Sequence, residues 1–276
     1  LAELRAALEP SGDWPLRDYV PVEALDRLGR RHRTWQTTTR GNIRYVASDD
    51  DINYTVLGML ILEEHGLAFT PSDVRDAWLR HLPISMTFGP ERTLLLRAGM
   101  NTVFGGRPDD LADWVGVLNP GDEKCGALIR ADAYGYACAG RPALAAELAW
   151  RDASWTHRRT GIYGAMFVAA AIAAAAVLDD PLRVFETALG FVPQRSRFHR
   201  IAADSLDEVS RATDWLDGYR RIHGKYAQYA HCLVYQECGT LMNTLRYAES
   251  VGEGISIQVS QGNDTDSFGA TAGSLL

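Results

Sequence analysis

The sequence predicts an all-α protein, folded as a single domain over residues 1–276, and three observations point there. Residues 161–178 read GIYGAMFVAAAIAAAAVL, an unbroken apolar run. Several other segments carry apolar residues at helical spacing between residues that start and stop helices. Alternation of the strand type is confined to Ile255, Ile257 and Val259, where taken alone it argues a short strand.

Taken in order, residues 1–40 are punctuated by Pro10, Gly12, Pro15 and Pro21 and read as irregular. One short helix is expected there, over residues 22–33 with an interruption near Gly29. Val56, Leu57, Leu60 and Ile61 define a helix entered from Asp49-Asp50-Asp51 and stopped at Gly66. Thr70-Pro71-Ser72-Asp73 is an N-cap with proline beside it, opening a helix that runs to Leu82-Pro83. Further helical pieces are expected over residues 91–98, 127–136, 142–152, 182–189 and 239–248, and within 206–235. The apolar run itself reaches the ~18 residues at which a membrane span becomes possible. It is nearly half alanine and has no counterpart elsewhere, so it reads as a buried helix at the centre of a bundle, with no membrane partner.

A chain that is 46% hydrophobic and 23% charged excludes disorder, collagen and coiled coil. With 28 Lys and Arg against 35 Asp and Glu, the net charge of −7 has the wrong sign for neutralising a phosphate backbone, so nucleic acid is not an expected partner. Cys125, Cys138, Cys232 and Cys238 show no CxxC spacing, which argues against a zinc ribbon or disulfide framework and makes a reducing cytoplasm the expected location. Asn53-Tyr54-Thr55 and Asn263-Asp264-Thr265 would be glycosylation acceptors only in a secreted chain.

Familiar catalytic motifs are missing. The sequence holds no G-x-S-x-G and no H-E-x-x-H. Residues 218–225 fail as a phosphate loop because Tyr226 stands where Ser or Thr must bind magnesium. What remains is carboxylate chemistry. Asp49, Asp50 and Asp51 precede one helix, and Asp264-Thr265-Asp266-Ser267 precede another expected over residues 269–276. Each cluster alone suits a helix start. Brought together they would repel: two like charges ~4 Å apart cost about 4 kcal/mol at an effective dielectric of 20, so the group either protonates or binds cations. Hard oxygen ligands select Mg²⁺ or Mn²⁺, and two such ions ~3.5–4 Å apart can hold a water or substrate oxygens between them.

Three stretches, SDDDINYTVLGMLILEEHG, IRADAYGYACAGRPALAAELAWRDASWTHRRTGIYGAMFVAAAIAAA and GNDTDSFGATAGSLL, resemble the ADP-ribosylglycohydrolase family, which includes the dinitrogenase reductase-activating glycohydrolases. The Asp-Asp before a helix and the Gly-x-Asp-x-Asp-Ser/Thr/Cys loop are the family's paired signatures. The resemblance covers residues 41–276 and is weak over the first forty. It implies an orthogonal helical bundle and hydrolysis of the glycosidic bond at the anomeric carbon of an ADP-ribosyl group on a protein or small molecule. It further implies a binuclear Mg²⁺ centre, or Mn²⁺, on Asp50, Asp51, Asp264 and Asp266. Asp49 stands where the family often has a Thr ligand, with Ser48 the alternative in a slipped register, and Ser267 matches the hydroxyl ligand. By the same resemblance Asp51 and Asp266 carry catalysis, and Gly126, Arg130 and His157 meet the substrate. It also implies helix over residues 255–259, against their alternation.

Three departures stand out. Residues 1–35 lack the Gly-Asp-Ala-Leu-Gly helix and its nearby catalytic glutamate; Ile52 replaces a Thr; and Lys124-Cys125-Gly126-Ala127-Leu128-Ile129-Arg130 replaces a loop with Asn-Gly before Met-Arg. These leave room for the same centre acting on another nucleoside or N- or O-glycoside, or for a noncatalytic ADP-ribose-binding or structural protein. Among the remaining residues, His157 either contacts ADP-ribose or is solvated at a helix start, and Arg130 either pairs with Asp132 or touches a phosphate. Tyr134 and Tyr136 are core aromatics or an adenine platform, and Arg195, Arg197, His199 and Arg200 form a basic surface turn or an anion-attracting island.

Overall fold

In the computed structural model, which describes residues 1–31, 34–104 and 111–276, the chain forms sixteen α-helices and no strand among those residues. The N-terminal region carries more helix than its prolines suggest: α1 (Ala2–Leu8), α2 (Val22–Leu28) and the single turn α3 (Trp35–Thr38). Leu8, Leu16 and Ala24 bury one another there, with Trp14, Val20 and Val259 packed against them. Gly29 closes α2 in the left-handed conformation at φ +63, and residues 32–33 of the expected helix lie outside the described residues.

Local chemistry sets the next starts. In α4 (Asp50–His65) the Asp49 carboxylate caps the helix by accepting from the Ile52 N–H at 3.2 Å. In α5 (Pro71–His81) Thr70 and Asp73 form a reciprocal capping box. There follow α6 (Gly89–Phe104), α7 (Leu111–Val115), α8 (Asp132–Ala137) and α9 (Pro142–Ala153). The expected helix over 127–136 is shorter than its pattern, because residues 125–131 are taken up by a tight 3₁₀ turn and its continuation.

The apolar run becomes α10 (Thr160–Ala175), buried on nearly every side. It packs against α8, α9 and α11 (Pro181–Leu189). Small residues permit this closeness: a Cβ on Gly135 would stand 2.6 Å from Ile172 Cβ, and one on Gly164 2.7 Å from Val234 Cγ1. No helix among the described residues is long and apolar enough to cross a membrane. Then come α12 (Arg197–Arg211), α13 (Trp215–Tyr226), α14 (Tyr235–Tyr247), α15 (Val251–Gln261) and α16 (Thr265–Leu275).

The strand-type alternation at residues 255–259 lies within α15, a helix as the resemblance implies. Its buried positions are Gly254, Ile257, Gln258, Ser260 and Gln261, of which 254, 257, 258 and 261 recur at helical spacing. The alternation misleads because Gln258, Ser260 and Gln261 make most of that buried set polar. Gln258 accepts from Thr244 Oγ1 at 2.8 Å and donates to Thr240 Oγ1 at 2.9 Å, while Gln261 donates to Thr244 Oγ1 and accepts from Asn243 Nδ2, both at 2.8 Å. These polar partners all stand on α14, so α15 is seated by hydrogen bonds where most helices use grease. α16 packs in turn on α10, α14 and α15, which fixes where its first residues point.

Candidate metal and substrate site

The two acidic loops meet. Ser267 Oγ, in the first turn of α16, donates to Asp51 Oδ2, in the first turn of α4, at 3.4 Å. Carboxylate oxygens of Asp49, Asp50 and Asp51 lie within 4.8 Å of one another. Capping explains only part of this arrangement. Asp49 caps α4, but the Asp264 side chain caps nothing, although Asp264 is the residue before α16. The other oxygen of the buried Asp51, Oδ1, has no hydrogen-bond partner.

Electrostatics records the crowding. Burial, then the neighbouring Asp50 and Asp266 charges, push the Asp51 carboxyl up to about 8. Asp50 is raised to about 6 by loss of water, with Asp49, Asp266 and Asp264 adding to the effect. Asp266 rises for the same two reasons, loss of water and then the charge of Asp264. Such a group favours protons or cations over mutual exposure of its charges.

Beside the acids opens a cavity of about 1080 Å³, whose wall includes Asp49, Asp50, Asp264, Asp266, Gly126 and Glu91. Its apolar side is built from Tyr19, Val20, Met86, Phe88 and Ile129. Glu91 is the functional candidate that the sequence does not disclose. It occupies the first turn of α6, where an acidic residue is ordinary, and nothing in its neighbours marks it out. In the fold it is 2% exposed, and burial raises its carboxyl to about 7 despite the nearby Arg130. Asp50 is close enough to add to that rise.

Gly126 and Arg130 explain how Glu91 is held. A Cβ on Gly126 would lie 2.4 Å from Glu91 Oε1, so only glycine admits the carboxyl here. Arg130 donates to Glu91 Oε1 at 2.7 Å, to Gly126 O at 3.0 Å and to Thr156 Oγ1 at 3.0 Å, and forms an ion pair with Asp152. Its guanidinium also stacks over Trp78 at 4.7 Å from the ring centroid.

This corrects the expectation that Arg130 meets a substrate phosphate. The residue is 1% exposed and its donors are engaged, so it braces the cavity from behind. The pairing with Asp132 is also not formed, since Asp132 instead accepts from Thr55 Oγ1 at 2.9 Å and Ser274 Oγ at 3.4 Å. His157 is neither solvated nor on the cavity wall. It is fully buried and hydrogen-bonded through Nδ1 to Thr156 Oγ1 at 2.8 Å, with Nε2 3.6 Å from Glu91 Oε1. Burial, then the Arg130 charge, hold it well below its usual range and therefore neutral. Tyr134 is core and donates to Asp152 Oδ2 at 2.7 Å, whereas Tyr136 is exposed and donates to Ser274 O. Arg195, Arg197, His199 and Arg200 line a separate open hollow around the start of α12.

With the two acidic loops in place, the ADP-ribosylglycohydrolase family model matches residues 2–276. The chain belongs to the ADP-ribosylglycohydrolase family. Membership makes it a glycosidic-bond hydrolase of the ADP-ribosylglycohydrolase type. The match also takes in the first forty residues, where the sequence resemblance is weak. No match to the chain is found among curated proteins or among solved structures.

A third group adjoins the acids. Cys125 Sγ and Cys232 Sγ both donate to Asp264 Oδ2, at 3.2 and 3.3 Å. The hydrogen bond with Cys232, together with burial and the Asp264 charge, raises the Cys125 thiol well above its usual range. Glu237, 2% exposed, accepts from the N–H groups of Cys232 at 2.9 Å, Val234 at 3.2 Å and Asp264 at 3.3 Å. Burial raises its own carboxyl to about 7. Through these amides Glu237 holds two left-handed segments in place, one with Cys232 at φ +65 and Val234 at +72, the other with Asn263 at +68.

Proposed function

We propose that this chain hydrolyses the glycosidic bond at the anomeric carbon of an ADP-ribosyl group carried by a protein or a small molecule. Asp49, Asp50, Asp51, Asp264, Asp266 and Ser267 would hold two Mg²⁺ ions for it. The observation that carries the proposal is the contact of the two acidic loops through Ser267 and Asp51 beside a cavity of about 1080 Å³. That volume suits a nucleotide-sized ligand, since small-molecule sites commonly span ~300–1000 Å³. The residues also fit a divalent cation: Asp51 has a buried oxygen without a partner, and its charge is opposed by Asp50 and Asp266. Oxygen donors of this kind select Mg²⁺, or Mn²⁺, over softer ions. When bound, magnesium supplies fixed positive charge that orients sugar hydroxyls and makes a water more acidic.

The chain's own residues supply the rest. Glu91, its carboxyl raised to about 7, is divided between its two protonation states at neutral pH and would give its proton to the leaving group, or take one from the attacking water once ionised. Arg130 fixes Glu91 Oε1, and neutral His157 lies behind it, so the carboxyl cannot swing away from the cavity. Tyr19, Met86 and Phe88 offer an apolar wall for a base and exclude water from the bond to be cleaved. All four cysteines are free thiols, which supports a reducing compartment such as the cytoplasm.

ADP-ribose release from arginine-linked and serine-linked ADP-ribosyl peptides, with Mg²⁺ and after chelation, tests the reading. Release should require the ion and fall on the order of 100-fold or more in Asp266→Asn. Release that survives chelation, or is undiminished in that variant, overturns it.

A further inference from the structure

We infer that Cys125, Cys232 and Asp264 form a binding site for one thiophilic divalent cation, Zn²⁺ by its chemistry, at the edge of the hydrolytic cavity. The three ligand atoms lie within 4.8 Å of one another, with the two sulfurs 3.2 and 3.3 Å from the same carboxylate oxygen. Tetrahedral zinc with Zn–S ~2.3 Å and Zn–O ~2.0 Å requires S···O of about 3.5 Å and S···S of about 3.8 Å. The observed triangle is within small side-chain adjustments of that geometry. Three protein ligands leave a fourth position for water or for a substrate oxygen, and all three residues line the cavity.

The ligand types decide the ion. Thiolates select Zn²⁺ and similar soft or borderline cations and are poor partners for Mg²⁺, so this site is chemically distinct from the carboxylate centre beside it. Binding displaces one proton from each thiol, and the resulting two thiolates and one carboxylate carry three negative charges against the two positive charges of the ion. Glu237 provides the outer support that such sites need: it binds the backbone N–H groups of both Cys232 and Asp264, tying two of the three ligands to one buried carboxyl. The third, Cys125, comes from the turn between α7 and α8, so the site joins two distant parts of the chain.

Asp264 is common to this site and to the proposed magnesium centre. An ion on the two sulfurs withdraws its Oδ2 oxygen from that centre, so stoichiometric Zn²⁺ lowers Mg²⁺-supported release and a chelator of zinc restores it. This consequence rests on the hydrolase reading; the binding site does not.

The test is titration of the reduced, metal-free full chain with Cd²⁺, which reports sulfur ligation through ultraviolet thiolate-to-cadmium charge transfer. The band should saturate at one equivalent, disappear in the Cys125→Ser/Cys232→Ser double variant, and persist in Cys138→Ser/Cys238→Ser, where only the proposed pair remains. Zn²⁺ affinity, read by competition with a chelating dye, should fall on the order of 100-fold in Cys232→Ser, whose side chain is only partly buried. No band at one equivalent in the wild-type chain, a band that survives in the first double variant, or its loss in a folded second one overturns the site. The spectrum needs no turnover, so a chain that shows the band and releases no ADP-ribose still supports it.

Discussion

Asp51→Asn should make the metal-free protein more stable while removing its response to magnesium. The side chain is 8% exposed, its Oδ1 has no partner, and Oδ2 receives only the 3.4 Å bond from Ser267. With its carboxyl raised to about 8, Asp51 is mostly protonated at pH 7.5, and taking up that proton costs about 5 kcal/mol relative to an ordinary carboxyl, which would be ionised there. Burial is the larger cause and the buried Asn amide keeps a desolvation cost of its own, while Asp50 and Asp266 share the repulsion, so one substitution recovers only part of that cost, about 2 kcal/mol. At about 2.1 cal/mol/K of unfolding entropy per residue, that raises Tm by roughly 3–4 °C for a chain of this length.

The sign with pH follows from the raised values. Asp50, Asp51 and Glu91 bind protons more tightly folded than unfolded, so their stabilisation is complete below about pH 4 and is lost as pH climbs through about 6, 7 and 8. The advantage of Asp51→Asn should therefore shrink to roughly a third by pH 5 and vanish only below about pH 4. Magnesium at 100 times its Kd adds about 2.7 kcal/mol to the wild type, reversing the order of the two proteins. Thermal unfolding of both chains in chelator and in Mg²⁺, at pH 5 and 7.5, gives four comparisons. A variant that melts below the wild type in chelator at pH 7.5, or gains as much from Mg²⁺, refutes the reasoning.

Glu91→Gln keeps the shape and loses the proton exchange; turnover should drop about 10²–10⁴-fold with Tm nearly unchanged, and the limb of the wild-type pH–rate profile near 7 should be absent from the residual activity. Arg130→Met leaves Glu91 and Asp152 buried without their cation, and chemical denaturation should show a loss of about 3–5 kcal/mol. Gly126→Ala places a methyl where Glu91 Oε1 now sits; steady-state kinetics should show a lower kcat alongside a stability loss of about 1–3 kcal/mol, and full activity would show that Glu91 has no fixed part in the reaction.

Much of the architecture was legible from local chemistry. Asp49, Thr70 and Asp180 cap the helices they precede, and the alanine-rich run is the central helix, because caps and all-round apolarity are properties of a few adjacent residues. The acidic loops could be named but not joined, since their contact depends on how α16 packs against α10, α14 and α15. Periodicity alone missed α15, which only the family resemblance implied, because a face buried through Gln258 and Gln261 has no apolar period to detect. Glu91 escaped because its position imitates a routine helix-start acid, and its isolation from water comes from Gly126 and Arg130 far along the chain. Arg130 was assigned to the ligand because a cation in a phosphate-type loop has no sequence mark that says it faces inward. Cys125 and Cys232 share no short spacing, so only the folded chain shows them bonded to one oxygen.

Two oily helices can slip by a turn, ~5.4 Å, and lose little, because one methyl replaces another. The amide and hydroxyl partners between α14 and α15 forbid that slip: Asn243, Thr244, Gln258 and Gln261 would each be left dry and unmatched, at about 1–3 kcal/mol apiece. The following loop starts only a residue or two beyond Gln261, so this lock and key of side chains works as a ruler for Asp264 and Asp266. Mutations in the seam, far from any ligand, should therefore be felt first as misplacement of the second acidic arm.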